Sequence, residues 1–497
     1  MSTQSPRTVL VVALVVFALV ASLAGVALPD SSPAPEAPPA PNDDVDSVHA
    51  DGVTGENVTV AVLDPTGFDT ADAAYADRVR AARSFGDGDA VGPNAGASHG
   101  TRSAREVVDV APDVDLYLAE FDGERGYGRA MAWAVREGAD VVVVPAAFHG
   151  KHGSGESTVE NVTERAVARG VVVVAAAGNT ARGTYRDRYD RVRDGALVVE
   201  DGARNYLRGG GRVVRAWVSW DRAHADESYA LELYRVTDDG PRLVARSVPY
   251  DADAEPNARL NVRVEDDTHF LVVRGPNRPT GASVRVTSVT HDLQHVTVRG
   301  SLVAPATAEG VLAVGAWNPV RGRLAAYSAS GPTADGRRGV DVLATARAED
   351  GFHGSSVAAA RAGGVAALVR AVRPNASPAT VESYLESTAR DVGVEGLDAR
   401  TGGGRLRPER AVSAALRDAR NETNATGTTD ASGADGPSAI VAQSVIDAQP
   451  AIDAPSVIDA PSVVDDAFAA REPFAARSAA VRPDYDHSRR GLSYDHN

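Results

Sequence analysis

The chain has 497 residues, a formal charge of −16 and no cysteine, a length that accommodates two or three domains. Without a basic face it is not built to hold nucleic acid, and without thiols it has no disulfides, thiolate metal sites or cysteine nucleophile. Lys151 is the single lysine among 51 basic residues, and the acidic excess together with abundant Ala, Val and Gly fits a salt-adapted surface.

In chain order, the apolar run Val9 to Leu28 follows a short polar start containing Arg7. At about 20 residues it is long enough to span a bilayer, yet Gly25-Val26-Ala27 also resembles a signal-peptide cleavage site. Residues 1–28 therefore read as a signal peptide or a membrane anchor, and either one places the rest of the chain outside the cell or at its surface. Residues 29–47 have the Pro/Ala-rich composition of a linker that cannot bury a core.

Between 48 and 180 short valine-rich segments alternate with amphipathic helical stretches. Strands are predicted at Val58 to Leu63, Val114 to Ala119, Val141 to Val144 and Val171 to Ala177, which implies a parallel sheet buried on both faces. From 181 to 300 the period changes to two, as in Arg212 to Trp220, Tyr229 to Val236 and Val284 to Ser288, and an antiparallel β-sandwich is expected. The α/β texture returns over 301–419, with a strand at Val311 to Ala316 and helices from Ser356 to Val372, Pro378 to Ala389 and Arg407 to Asp418. The fold class is thus α/β, a parallel sheet flanked by helices and interrupted by a β-sandwich insertion whose two ends must lie close together. Residues 420–497 read as a disordered acidic tail with a hexad repeat marked by Asp447, Asp453, Asp459 and Asp465. The prolines inside that period favour extended chain over a β-helix.

Four residues stand where chemistry is done. Asp64 ends the strand Val60-Ala61-Val62-Leu63, at the carboxyl edge where α/β proteins place their ligands, although aspartates also close strands as plain turn residues. His99 opens a helical stretch, His99-Gly100-Thr101-Arg102-Ser103-Ala104. An imidazole there can bond a carboxylate through one nitrogen and take a proton through the other. Ser356 lies at a helix start in Gly354-Ser355-Ser356-Val357, a place where serine usually caps, but Ser355 can cap equally well and leave Ser356 as a nucleophile. Asn179 follows Ala175-Ala176-Ala177-Gly178 and is either a turn residue or a side-chain donor to an oxyanion.

In the order Asp, His, Asn, Ser, these stretches resemble the subtilisin (subtilase) family of serine peptidases. Val60 to Gly67 is similar to its aspartate motif, His99 to Ala104 to HGTxxA, Val171 to Asn179 to VVVVAAAGN and Gly354 to Gly364 to GTSMAAPHVAG. The likeness covers about 48–180 and 301–419, and looks like a haloarchaeal type with an inserted sandwich. It implies a secreted or membrane-anchored endopeptidase with Asp64, His99 and Ser356 as triad and Asn179 as oxyanion donor. It further implies protein or peptide substrates, no cofactor for the chemistry and structural calcium at a place the sequence does not mark. An α/β-hydrolase would instead need Gly-x-Ser-x-Gly and the order Ser, Asp, His. This chain departs from the family in Pro65, in Ala360 for a proline, in the short segment Asp341 to Gly354, in the lack of room for a usual propeptide, and in Pro145-Ala146-Ala147-Phe148 where a Ser-x-Gly substrate strand is usual. These departures keep open an alternative: a catalytically weak or inactive relative acting as a surface binding protein.

Overall fold

In a computed structural model, which describes residues 45–86, 91–92, 99–200, 202–250 and 255–427, the valine runs become the strands of one large sheet. The first part runs α1 (Val45–Ala50), β1 (Thr59–Asp64), β2 (Val79–Phe85), α2 (His99–Val110), β3 (Asp115–Phe121), α3 (Gly123–Arg136), β4 (Val141–Val144), α4 (Thr158–Val167) and β5 (Val172–Ala176). Then come β6 (Thr184–Arg188), β7 (Val192–Arg193), β8 (Ala196–Leu197), β9 (Asn205–Arg208), β10 (Val213–Trp220), β11 (Ala230–Thr237) and β12 (Gly240–Arg246). They are followed by β13 (Val248–Pro249), β14 (Asn257–Arg263), β15 (His269–Arg274), β16 (Ser283–Ser288) and β17 (Asp292–Leu293). The last part contains β18 (Leu312–Asn318), β19 (Arg323–Leu324), β20 (Val342–Thr345), α5 (Ser355–Val372), α6 (Pro378–Ser387) and α7 (Pro408–Gly427).

The large sheet has eight strands in the order β19-β18-β5-β4-β1-β3-β2, with β20 also paired to β18. Its pairings are parallel except β18 with β19. Alternation along each strand divides the core in two: Val60, Val62, Val141, Val143 and Val174 face the layer holding α2 and α5, while Ala61, Leu63, Val142, Val144 and Val173 face α3 and α4. Both faces being covered explains why these strands read as unbroken apolar runs. The chain leaves β1 on one side of it for β2 and β3 and returns on the other side as β4, so the carboxyl end of β1 is a topological switch point, and Asp64 sits there.

Between β5 and β18 lie two antiparallel sheets, one ordered β13-β14-β10-β16-β6 and the other β12-β11-β15-β8-β7, with β9 joining β15 to β17. Val214, Ala216, Val218, Leu260, Val284 and Val286 of the first meet Leu231, Leu233, Leu271 and Val273 of the second in a shared core.

The elements depart from the sequence expectation at several places, among them the short strand β20, which pairs in parallel with β18. A helix begins at Val45, inside the stretch read as linker, because Val45 and Val48 bury against the core that also holds Ala411 and Val412. The last helix continues to Gly427, past the boundary expected at 419. The strand β2, Val79-Arg80-Ala81-Ala82-Arg83-Ser84-Phe85, was not expected: it lies at the sheet edge with only Phe85 buried, and so lacks an apolar run. The run Val9 to Leu28 and the hexad repeat lie outside the described residues.

Candidate active site

Asp64 is the last residue of β1 and fully buried. Its Oδ1 accepts hydrogen bonds from the Thr66 backbone N–H at 2.9 Å and the Thr66 hydroxyl at 2.7 Å, so the extra Pro65 leaves the carboxylate tied into its own turn. Thr66 Oγ1 in turn accepts from the N–H of Gly100 at 2.9 Å, locking the start of α2 against the end of β1. Glycine is required at 100: a Cβ there would lie 2.4 Å from the Gly67 carbonyl oxygen and 3.1 Å from the Asp64 Cβ. This approach brings His99 Nδ1 to 2.6 Å from Asp64 Oδ2.

The other imidazole nitrogen, Nε2, lies 2.9 Å from the hydroxyl oxygen of Ser356. The ring meets Phe352 edge-on at 5.3 Å between centroids. Ser356 is the second residue of α5, almost wholly small and apolar, which packs against α2 where Gly364 abuts Val110. A buried ion pair adds to this contact: Arg361 Nε donates to Glu106 Oε2 at 2.7 Å. Burial nevertheless outweighs the guanidinium and pushes the Glu106 carboxyl upward.

The start of α5 is capped otherwise than the sequence allowed. Gly354, at φ +139°, holds the cap position, and Asn179 Oδ1 accepts the Ser355 N–H at 2.9 Å. The Ser355 hydroxyl faces back across the site, accepting the Gly178 N–H at 3.2 Å. With its carbonyl used in this way, Asn179 keeps its Nδ2 donor beside Gly354, and the residue is exposed at the end of an otherwise buried run. The amide and the amino terminus of α5 both present positive potential next to the Ser356 hydroxyl.

The four residues separated by up to 292 positions in the chain thus meet at one place, 356 − 64 giving that span. Sequence reasoning missed Pro145 as a partner. The Ser356 hydroxyl lies 2.7 Å from the Pro145 carbonyl oxygen, an acceptor that no side-chain motif announces. Phe148, the last residue of the stretch that departs from the usual Ser-x-Gly strand, stacks with Phe121 at 5.8 Å and meets Tyr127 edge-on at 4.9 Å.

Fold and sheet topology define a subtilisin-like α/β protein with added antiparallel sheets. A model described as the subtilase family matches residues 265–404, a segment that holds Ser356 but neither Asp64, His99 nor Asn179. Alkaline elastase YaB from Bacillus sp. (strain YaB) is 35% identical over 150 residues, 27% of this chain and 36% of that protein. Subtilisin E from Bacillus subtilis (strain 168) is 33% identical over 149 residues, 27% of this chain and 37% of that protein. The match therefore spans little more than a third of the length of these curated relatives. Among solved structures, the CspB protease of Clostridium perfringens covers 75% of this chain and 98% of its own at a TM-score of 0.55 and 17% identity, a likeness of fold.

Proposed function

We propose that this chain is an exported serine endopeptidase that cleaves protein or peptide substrates through Asp64, His99 and Ser356. The observation that carries the reading is the unbroken relay from carboxylate to imidazole to hydroxyl, at 2.6 and 2.9 Å. In this reading His99 Nε2 takes the Ser356 proton as the oxygen attacks the carbonyl carbon, and an acyl-enzyme forms as the amine leaves with that proton. Asp64, buried and fixed by Thr66, holds the imidazole with Nδ1–H toward it and stabilises its cation. Asn179 Nδ2 and a backbone N–H at the start of α5 receive the oxyanion. Water then attacks the acyl carbon as His99 Nε2 takes its proton, and the bond to Ser356 breaks as that proton passes to the serine oxygen, releasing the acid. Export rests on the run Val9 to Leu28.

The test is labelling of the full chain by a fluorophosphonate, followed by peptide mapping. Wild type is expected to carry the label on Ser356, and Ser356→Ala to lose both label and peptide hydrolysis, with kcat down by about 10⁶, a figure carried over from subtilisin itself. An unlabelled, folded wild type would instead favour an inactive relative that acts as a surface binding protein.

A further inference from the structure

One end of the outer face of the five-stranded antiparallel sheet is dry, while Arg215, Asn261 and Arg263 at its other end are exposed. Along β10, Val214, Ala216 and Val218 point into the sandwich core, so Trp217 and Ser219 point away from it; along β16, Val284 and Val286 point in, so Arg285 and Thr287 point out. A sheet covered on one side only would leave the outward set in water. Instead Trp217 is 7% exposed, Ser219 2%, Arg285 3% and Thr287 3%.

Trp217 and Arg285 are covered by the chain that leaves β4 beside the site. From Pro145 it runs to Gly153 with no exposed residue. The His149 ring packs on the Trp217 ring at 5.4 Å. Gly150 adopts φ +88° so close to the indole that a Cβ would lie 2.6 Å from Trp217 Cδ1. Gly153, at φ +84°, lies against Arg285, whose Nη1 would be 3.3 Å from a Cβ there, while Arg285 Nη2 donates to the Ser301 carbonyl at 3.0 Å. The segment's other end is Pro145, whose carbonyl oxygen meets the Ser356 hydroxyl at 2.7 Å.

We propose that Trp217 is a positioning residue for Ser356, acting through the His149–Gly150 turn on the Pro145 carbonyl, so that the antiparallel sheets help set the geometry of the nucleophile. The proposal rests on the peptidase reading above. Its logic is steric and directional. The hydroxyl has one proton and two acceptors in reach, Pro145 O at 2.7 Å and His99 Nε2 at 2.9 Å, so the place of the carbonyl decides where the oxygen sits and which acceptor its proton faces. A displacement of about 1 Å in such a contact is enough to cost on the order of 10²-fold in rate.

The experiment compares wild type, Trp217→Ala, Trp217→Phe and Leu260→Ala as full chains. Leu260 lies in the inner sandwich core and serves as a control for general loosening. Two quantities are read per folded molecule: the second-order rate of fluorophosphonate labelling at Ser356, and kcat and KM on a fluorogenic peptide. Trp217→Ala is expected to lower labelling and kcat together by roughly 10- to 100-fold with KM within about twofold. Trp217→Phe should recover most of the loss, and Leu260→Ala should keep wild-type rates per molecule. If Trp217→Ala does not fold, His149→Ala removes the ring that the indole packs on and must give the same split. A labelled wild type with unchanged Trp217→Ala rates, or an equal loss in Leu260→Ala, overturns the proposal alone. An unlabelled wild type overturns the peptidase reading and this proposal with it.

Discussion

In the proposed reading Asn179 has two tasks for one amide, and they can be separated. Its Oδ1 caps α5 by accepting the Ser355 N–H, and the proposal gives its Nδ2 to the oxyanion. Asn179→Ala removes both, so kcat should fall by roughly 10²–10³ and stability by about 1 kcal/mol. Asn179→Asp keeps an acceptor for the cap but replaces the donor by a negative charge facing a developing oxyanion. It should retain the stability lost in the alanine variant while losing more activity. Asp64→Asn leaves the ring in place with the wrong tautomer, a loss of about 10⁴ in the trypsin-like case. Steady-state kinetics with thermal melts would rank the three; equal melting of Asn179→Ala and wild type would refute the capping role. At this scale the sequence was most legible, because Asp64, His99, Asn179 and Ser356 each lie in a short stretch of distinctive neighbours. The Pro145 carbonyl and the Ser355 N–H were not legible, since backbone groups are identical in every residue and only the fold decides which are near.

The elements that carry the site are held by their glycines, alanines and one buried ion pair. The valine runs gave β1, β4 and β5 within a residue or two, since a doubly covered strand must be apolar throughout. The edge strand β2 gave no such signal. Likewise the motif that predicts α5 says nothing of Arg361, which crosses to Glu106 on α2, the helix that begins with His99. Arg361 is 5% exposed and Glu106 8%. Arg361→Met, close in volume, would leave the carboxylate buried without its partner, a loss of about 3–5 kcal/mol near neutral pH. Because burial already raises the Glu106 pKa, the carboxyl in that variant takes up a proton as pH falls, and the deficit should shrink. Urea midpoints of both proteins at pH 7.5 and pH 5 would show it. A deficit independent of pH would mean that packing, not charge, was lost.

At the scale of the whole molecule, period-two alternation in the sequence predicts which residues of β10 and β16 share a face, but not that the outward residues Trp217, Ser219, Arg285 and Thr287 are buried too. The antiparallel block reads in the sequence as an insertion, and in the fold one end of its outer face is seated on the segment Pro145 to Gly153 through Trp217 and Arg285. The junction also holds two histidines whose protonation the fold opposes. His152, 6% exposed, is pushed down to about 3, first by burial and then by Arg186 and Arg285; His149 is pushed down to about 4 by burial, with Arg285 and Arg215 adding to it. Both titrate near 6.5 when unfolded. Between about 6.5 and these folded values the unfolded chain binds more protons than the native one, so their effect is absent above 6.5 and stability is lost as pH falls through the window, levelling off only below about 3. Asp341 has the opposite sign: burial raises it to about 7, so its contribution weakens as pH rises toward that value. A wild-type curve alone mixes the two, and the informative quantity is the difference from His152→Gln, which keeps a polar side chain and cannot charge. The variant is expected to lose less stability than wild type between pH 7 and pH 4.5, measured by urea midpoints at both values. Parallel losses in the two proteins would show that His152 is not held neutral at this junction.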